Sequence, residues 1–221
     1  MHKDIQRAIF IAKKLFAELV YDVQALEGMP FTMPEVQTYL QGITVGGHKV
    51  ADEEKLKQQA LGWKKLISLV EEGAFQVSKP IACELQAIIA KDEALEVGQF
   101  RSGRVGISGT DYQPPDPESL DDLFQAMIQS LDQYIDLRDQ AYALHLLFAR
   151  NQFFFDGNKR TGLLMMNGLL LSKARPPLSI PAKRLHEYNA GMIRYYDTGD
   201  PREMLAFLRQ CHDRMHERFG L

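Results

Sequence analysis

The run Leu163-Leu164-Met165-Met166-Asn167-Gly168-Leu169-Leu170-Leu171 constrains the fold of this chain more than any other feature. Wound as a helix it is apolar on nearly every side, and a helix without a polar face has to be surrounded. Lipid is excluded as the surround by length, because a membrane span needs about 20 such residues and this run has half that number. Residues 163–171 therefore predict a central helix with the rest of the chain packed around it. The remaining sequence supplies the helices to do so. Ile5, Ile9, Ala12, Phe16 and Leu19 recur at helical spacing over 3–26, up to the break at Glu27-Gly28-Met29-Pro30. Thr32-Met33-Pro34-Glu35 carries the polar cap, early proline and early acid of a helix reaching about Gln41. Leu56, Ala60, Trp63, Ile67 and Val70 predict another from 52 to about 73, and Lys79-Pro80 opens one through Leu85 and Ile89. Further on, the stripe Leu120, Leu123, Phe124, Met127, Ile128, Leu131 and Ile135 and the stripe Leu137, Ala141, Leu144 and Phe148 predict core-facing helices. Two last helices are expected around 188–196 and 201–218.

One stretch breaks this texture. Residues 98–118 hold four glycines and three prolines around the alternating Phe100, Val105 and Ile107. The pattern predicts a short β-hairpin with a Pro-rich exit, too little strand for a sheet of its own. Such a hairpin is either a solvent-facing connection or a flap that offers a free strand edge to a peptide. The fold expected is thus all-α, a helical bundle with one short hairpin. Residues 1–95 form an N-terminal helical region and 96–221 a core, together one compact unit.

Composition narrows the function classes. Lys and Arg number 26 against 29 Asp and Glu, a net charge of −3 with no long basic run, which argues against a nucleic-acid partner and leaves a DNA-associated helical regulator as the third reading. Cys83 and Cys211 have no metal-ligand spacing and read as free thiols of a reducing compartment. The amphipathic, charged N-terminus is unlike a signal peptide, so the expected location is cytoplasmic, with no membrane association.

Chemistry concentrates in Phe154-Phe155-Asp156-Gly157-Asn158-Lys159-Arg160-Thr161-Gly162. A Gly-Asn turn at the start of the central helix presents backbone N–H groups where the helix dipole favours anions. Lys159 and Arg160 add two charges, and Asp156 is able to hold a divalent cation; together these make a cradle for a diphosphate with Mg²⁺. The alternative is a capped helix start, with Asn158 as cap and a solvated basic first turn. Two cations at the positive end of a helix sit poorly unless an anion joins them.

The same residues resemble the signature loop of the Fic (filamentation induced by cAMP) family, H-x-F-x-D-G-N-[G or K]-R, through Phe154, Asp156, Gly157, Asn158, Lys159 and Arg160. The run from Gly98 through Phe100, Arg101, Val105 and Ile107 to Pro114-Pro115 is similar to the Fic flap, His145-x-x-Phe148 to the helix before the loop, and Ala25-Leu26-Glu27-Gly28 to the family's N-terminal inhibitory helix. The resemblance implies a Fic-type bundle with flap 98–115 and signature loop 152–160. It also implies transfer of AMP from ATP to a protein hydroxyl. Asp156 would bind Mg²⁺; Gly157, Asn158, Lys159 and Arg160 would hold the phosphates of ATP or another nucleotide. Phe100, Arg101, Val105 and Ile107 would dock a protein target, and a homodimer is a possible assembly. Two departures stand out. Aligning Phe154 places Gln152 where the family has its catalytic His, and an amide cannot act as a general base near neutral pH. Leu163 stands where relatives have a second Arg to pair with the inhibitory Glu, here Glu27, and Val23 stands where they have a small hydroxyl residue. Two function classes follow: an impaired AMP-transferase, or a catalytically silent module that binds a nucleotide or a partner. His145, seven residues before Gln152, reads as a hydrogen-bonded structural residue.

Overall fold

The computed structural model describes residues 2–219; positions 1, 220 and 221, the outer ends of the two expected regions, lie outside the described residues. Among these the chain forms ten α-helices: α1 (His2–Lys14), α2 (Phe16–Leu26), α3 (Met33–Leu40), α4 (Val50–Glu71), α5 (Lys79–Ile89), α6 (Leu120–Ser130), α7 (Leu137–Asn151), α8 (Asn158–Ser172), α9 (Leu185–Thr198) and α10 (Arg202–Phe219). Short 3-10 turns stand before α6, after it, and before α9.

The apolar run lies at the centre. Of the fifteen residues of α8 only Lys159, Leu169 and Ser172 escape burial. It runs along α7 and also meets α1, α4 and α5. Glycine makes these approaches possible: a Cβ on Gly168 would stand 2.1 Å from the Phe75 ring, and one on Gly162 3.0 Å from the His145 carbonyl oxygen. One apolar cluster joins α1–α5 to α6, α7 and α8, with Trp63, Leu66, Phe124 and Phe148 fully covered. A second joins Val23 and Leu26 of α2 to the other faces of α7 and α8 and to α9 and α10. The expected start of α3 is seen as drawn, with the Thr32 N–H donating to Glu35 Oε2 at 2.7 Å.

Three expectations need correction. The single helix over 3–26 bends at Leu15 (φ −91°, ψ 2°), although the Leu15 N–H still donates to Ile11 O and the Leu19 N–H to Leu15 O. The bend keeps Ile9 and Ala12 on one side, and Leu19 and Val20 on the other, against the core. Ile135 does not continue the α6 stripe: the helix ends at Ser130, a 3-10 turn follows, and Ile135 lies fully exposed.

The third correction is the hairpin. Residues 98–115 contain no strand. The segment is tied down instead by one side chain: Arg101 NH1 donates to Gly103 O (2.8 Å), NH2 to Pro115 O (2.5 Å) and Nε to Gln152 O (2.5 Å). The Arg101 backbone N–H donates to Phe153 O. Prolines 114 and 115 lack the N–H that a paired strand needs. Phe100 meanwhile turns inward and stacks on Phe153 with ring centroids 5.0 Å apart.

Candidate active site

The site is built where α7 hands over to α8. Gln152 ends α7 in the left-handed region (φ 49°), a costly backbone for a residue with a Cβ, and every polar group it has is engaged. Its N–H donates to Phe148 O, Nε2 donates to Ala149 O (2.6 Å), Oε1 accepts from Asn158 Nδ2 (2.9 Å), and its carbonyl accepts from Arg101. Phe153 and Phe154 then plunge into the core, where Phe153 meets Phe100, Phe124 and Phe148. That packing fixes the loop from below. Asn158 fixes it from within, accepting from the Phe154 N–H (2.9 Å) and donating to Phe154 O (2.7 Å). Asn158 is therefore the first residue of α8 and a staple of the loop. The cap position falls on Gly157 (φ 81°), which has no side chain to offer, so no side chain caps α8. The first amides of α8 are left for an outside acceptor.

The anions wanted by the two cations turn out to come from the chain itself. Arg160, 2% exposed, donates through NH1 to Ile89 O (3.1 Å) and Glu93 Oε1 (3.3 Å), and through NH2 to Glu93 Oε2 (2.6 Å) and Asp156 Oδ1 (2.9 Å). Its Nε lies 3.7 Å from Glu27 Oε2, and Lys159 Nζ lies 3.8 Å from Glu27 Oε1. Burial works against the charged guanidinium, yet Glu27, Glu93 and Asp156 outweigh it and raise its pKa. Asp156 also accepts from the Gly157 N–H, and its side chain remains half exposed. Glu93 escaped the sequence reading: it stands 67 residues from Arg160 in the turn after α5, and no local spacing marks it.

A cavity of about 530 Å³ opens over the α8 N-terminus. Gln152, 155–160, Glu27 from the end of α2, and Gly106, Ile107 and Ser108 line it. Asn189, Met192, Ile193 and Tyr196 of α9 close the other side, a wall that sequence spacing gave no reason to join to the loop. The structure thus brings together Gln152, Asp156, Gly157, Asn158, Lys159, Arg160, Glu27 and Ile107. Val105 lies half-buried on the same extended segment, whereas Phe100 and Arg101 face inward and anchor it. His145 is wholly buried with Nε2 2.9 Å from the Tyr188 hydroxyl, and burial pushes its pKa down to about 3. Among the described residues no group of three or more His, Cys, Asp or Glu side chains could hold a metal by itself, and no helix is long and apolar enough to cross a membrane.

Comparison with known proteins bears on this geometry. Residues 76–170, which include the loop and the Arg101 segment, match the model of the Fic/DOC family. It is 25% identical over 207 residues to the protein adenylyltransferase Fic of Drosophila mojavensis, covering 91% of this chain and 41% of that protein. To the protein of the same name from Nematostella vectensis it is 26% identical over 220 residues, covering 95% and 49%. The chain thus spans half or less of the length of these curated relatives. Its fold is similar to Fic-1 (residues 134–508) of C. elegans, with a TM-score of 0.81 at 19% identity over 99% of this chain and 69% of that one. It is also similar to a Fic-domain-containing signaling protein from Bacteroides thetaiotaomicron, with a TM-score of 0.77 at 20% identity over 96% and 87%.

Proposed function

We propose that this chain binds an adenine nucleotide with Mg²⁺ on the turn at Gly157–Arg160 and is an impaired relative of the protein adenylyltransferases, in which Gln152 occupies the position of the catalytic His. The uncapped N-terminus of α8, opening with Lys159 and Arg160 onto the cavity, carries the reading. Amides at the start of α8 would bind phosphate oxygens, and Arg160 would donate a charge-assisted hydrogen bond to them. Asp156 suits a magnesium ion, which is held through one or two carboxylates together with phosphate oxygens and water. That ion would supply charge neutralisation at the phosphates. The α9 wall would receive the base, and the segment carrying Val105 and Ile107 would align a target hydroxyl. Gln152 has no usable pKa and would position the hydroxyl without taking its proton. Titration calorimetry with Mg²⁺ and ATP or ADP is the test: binding below millimolar is expected, and none at millimolar concentration overturns the reading.

A second reading is favoured by the state of Gln152, whose amide is committed to Ala149 O and Asn158. A silent module that holds a nucleotide or a partner would need nothing more. Labelled ATP separates the two: label on the unaltered chain supports a transferase, and label only after Gln152→His supports the module.

A further inference from the structure

We propose that Glu93 is a positioning residue of the phosphate site, holding the Arg160 guanidinium in place while Asp156 changes partners; this rests on the nucleotide-binding reading above. The five N–H bonds of an arginine set the terms. NH1 serves Ile89 O and Glu93, NH2 serves Glu93 and Asp156, and Nε faces Glu27. Of these partners Asp156 lines the cavity with its side chain 48% exposed, whereas the Glu93 side chain is 13% exposed and does not line it. Asp156 is also the carboxylate suited to a divalent cation. Arg160 and that cation therefore compete for one group. When Asp156 turns to the cation, an NH2 hydrogen comes free beside the α8 amides. A long, flexible arginine stem would otherwise follow Asp156 or swing toward Glu27. The two-point pairing with Glu93, backed by Ile89 O, keeps the plane of the guanidinium where it stands. Glu93 is itself steadied by Lys55 Nζ at 3.5 Å, which ties the brace to α4.

Positioning and bare electrostatics give effects of opposite sign. As a negative charge near an anion site, Glu93 would repel the nucleotide, and neutralising it would tighten binding. As a brace its loss loosens Arg160 and weakens binding. Calorimetry with ADP and Mg²⁺ on the full chain decides between them, with Glu93→Gln and Glu93→Asp each placed in the unaltered and the Arg160→Met background and melting followed alongside. Glu93→Gln is expected to weaken ADP about tenfold with Arg160 present and to have no effect in the Arg160→Met background, because residues acting through one another are not additive. Glu93→Asp, which keeps the charge, recovers part of the loss. In EDTA, where Asp156 keeps hold of Arg160, the loss is smaller. Should Glu93→Gln fail to fold, Glu93→Asp carries the test, with a few-fold loss that again vanishes without Arg160. Unchanged or tighter binding, an equal loss in both backgrounds, or an equal loss in EDTA overturns the proposal. Absence of ADP binding by the unaltered chain is a separate result: it removes the nucleotide reading and the role of Glu93 with it.

Discussion

An amide at position 152 withholds a base and at the same time locks the loop. Its Nε2–Ala149 and Oε1–Asn158 bonds hold the left-handed turn in which the side chain sits. An imidazole there has a near-neutral pKa but cannot reproduce both bonds. Gln152→His is therefore expected to raise AMP transfer toward the gain of about 10²–10⁴ of a positioned general base, and to cost about 1 kcal/mol of stability for the bond lost. Intact mass after several hours with Mg²⁺ and ATP reads the first, and thermal melting the second. Prompt adenylylation of the unaltered chain would contradict the argument. Arg160→Ala removes a charged donor from the phosphate site and leaves the largely buried Glu93 with Lys55 Nζ, 3.5 Å away, in place of its two-point partner. ADP affinity should fall by about 1.5–3 kcal/mol, and the melting temperature should fall with it.

Two elements frame the cavity without belonging to the loop. The segment 98–115 holds its shape through Arg101, which serves three carbonyls and is nearly inaccessible. Burial pulls the pKa of this guanidinium below its ordinary value, with Asp116 and Glu118 opposing, yet an arginine so shifted stays charged. Arg101→Ala strands the Gly103, Pro115 and Gln152 carbonyls together. Limited proteolysis should then cut within 102–110 several times faster than in the unaltered chain, and equal rates would show that the segment is held by other means. The second element is α2, whose end brings Glu27 to Lys159 and Arg160 despite Leu163. If Glu27 occupies the place of a γ-phosphate, Glu27→Gly should tighten ATP by several-fold and leave ADP nearly unchanged. Paired calorimetry reads that difference.

At the scale of the whole molecule the buried titratable groups set the response to acid. His145 and His212 have pKa values pushed down to about 3, both chiefly by burial; His212 Nε2 donates to Pro176 O and Nδ1 accepts from the Tyr142 hydroxyl. The unfolded chain protonates both as pH falls through the ordinary histidine value, while the folded chain does not, so stability is lost from about pH 6.5 downward. Asp22 opposes this. Burial raises its pKa to about 6 although Ser179 and Ala182 donate to it, so the folded chain binds a proton that the unfolded one lacks between about pH 4 and 6. For these three groups, two protons against one leave a net loss of stability on acidification over that window. Asp22→Asn removes the counterweight, and urea unfolding at pH 4 to 6 should show a steeper loss of stability with falling pH. A slope unchanged by the substitution would show that Asp22 titrates normally in the folded chain.

What the sequence determined by itself was whatever depends on near neighbours. The apolar run placed α8 at the centre, periodic stripes placed the helices around it, and Asp156-Gly157-Asn158-Lys159-Arg160 announced an anion-favouring helix start, because helical phase and turn chemistry are set by residues a few positions apart. What only the tertiary structure decided was how single groups spend their hydrogen bonds over long distances. The alternation of Phe100, Val105 and Ile107 spelled a hairpin, and what formed is an extended segment held by Arg101 through three bonds that reach as far as Gln152. Lys159 and Arg160 asked for an anion, and packing answered with Glu27 and Glu93 from elements that nothing in the spacing of 154–162 names. The α9 wall entered the cavity for the same reason. A donor in a folded chain pairs with whichever acceptor packing brings within 3 Å or so, and sequence separation has no part in that choice.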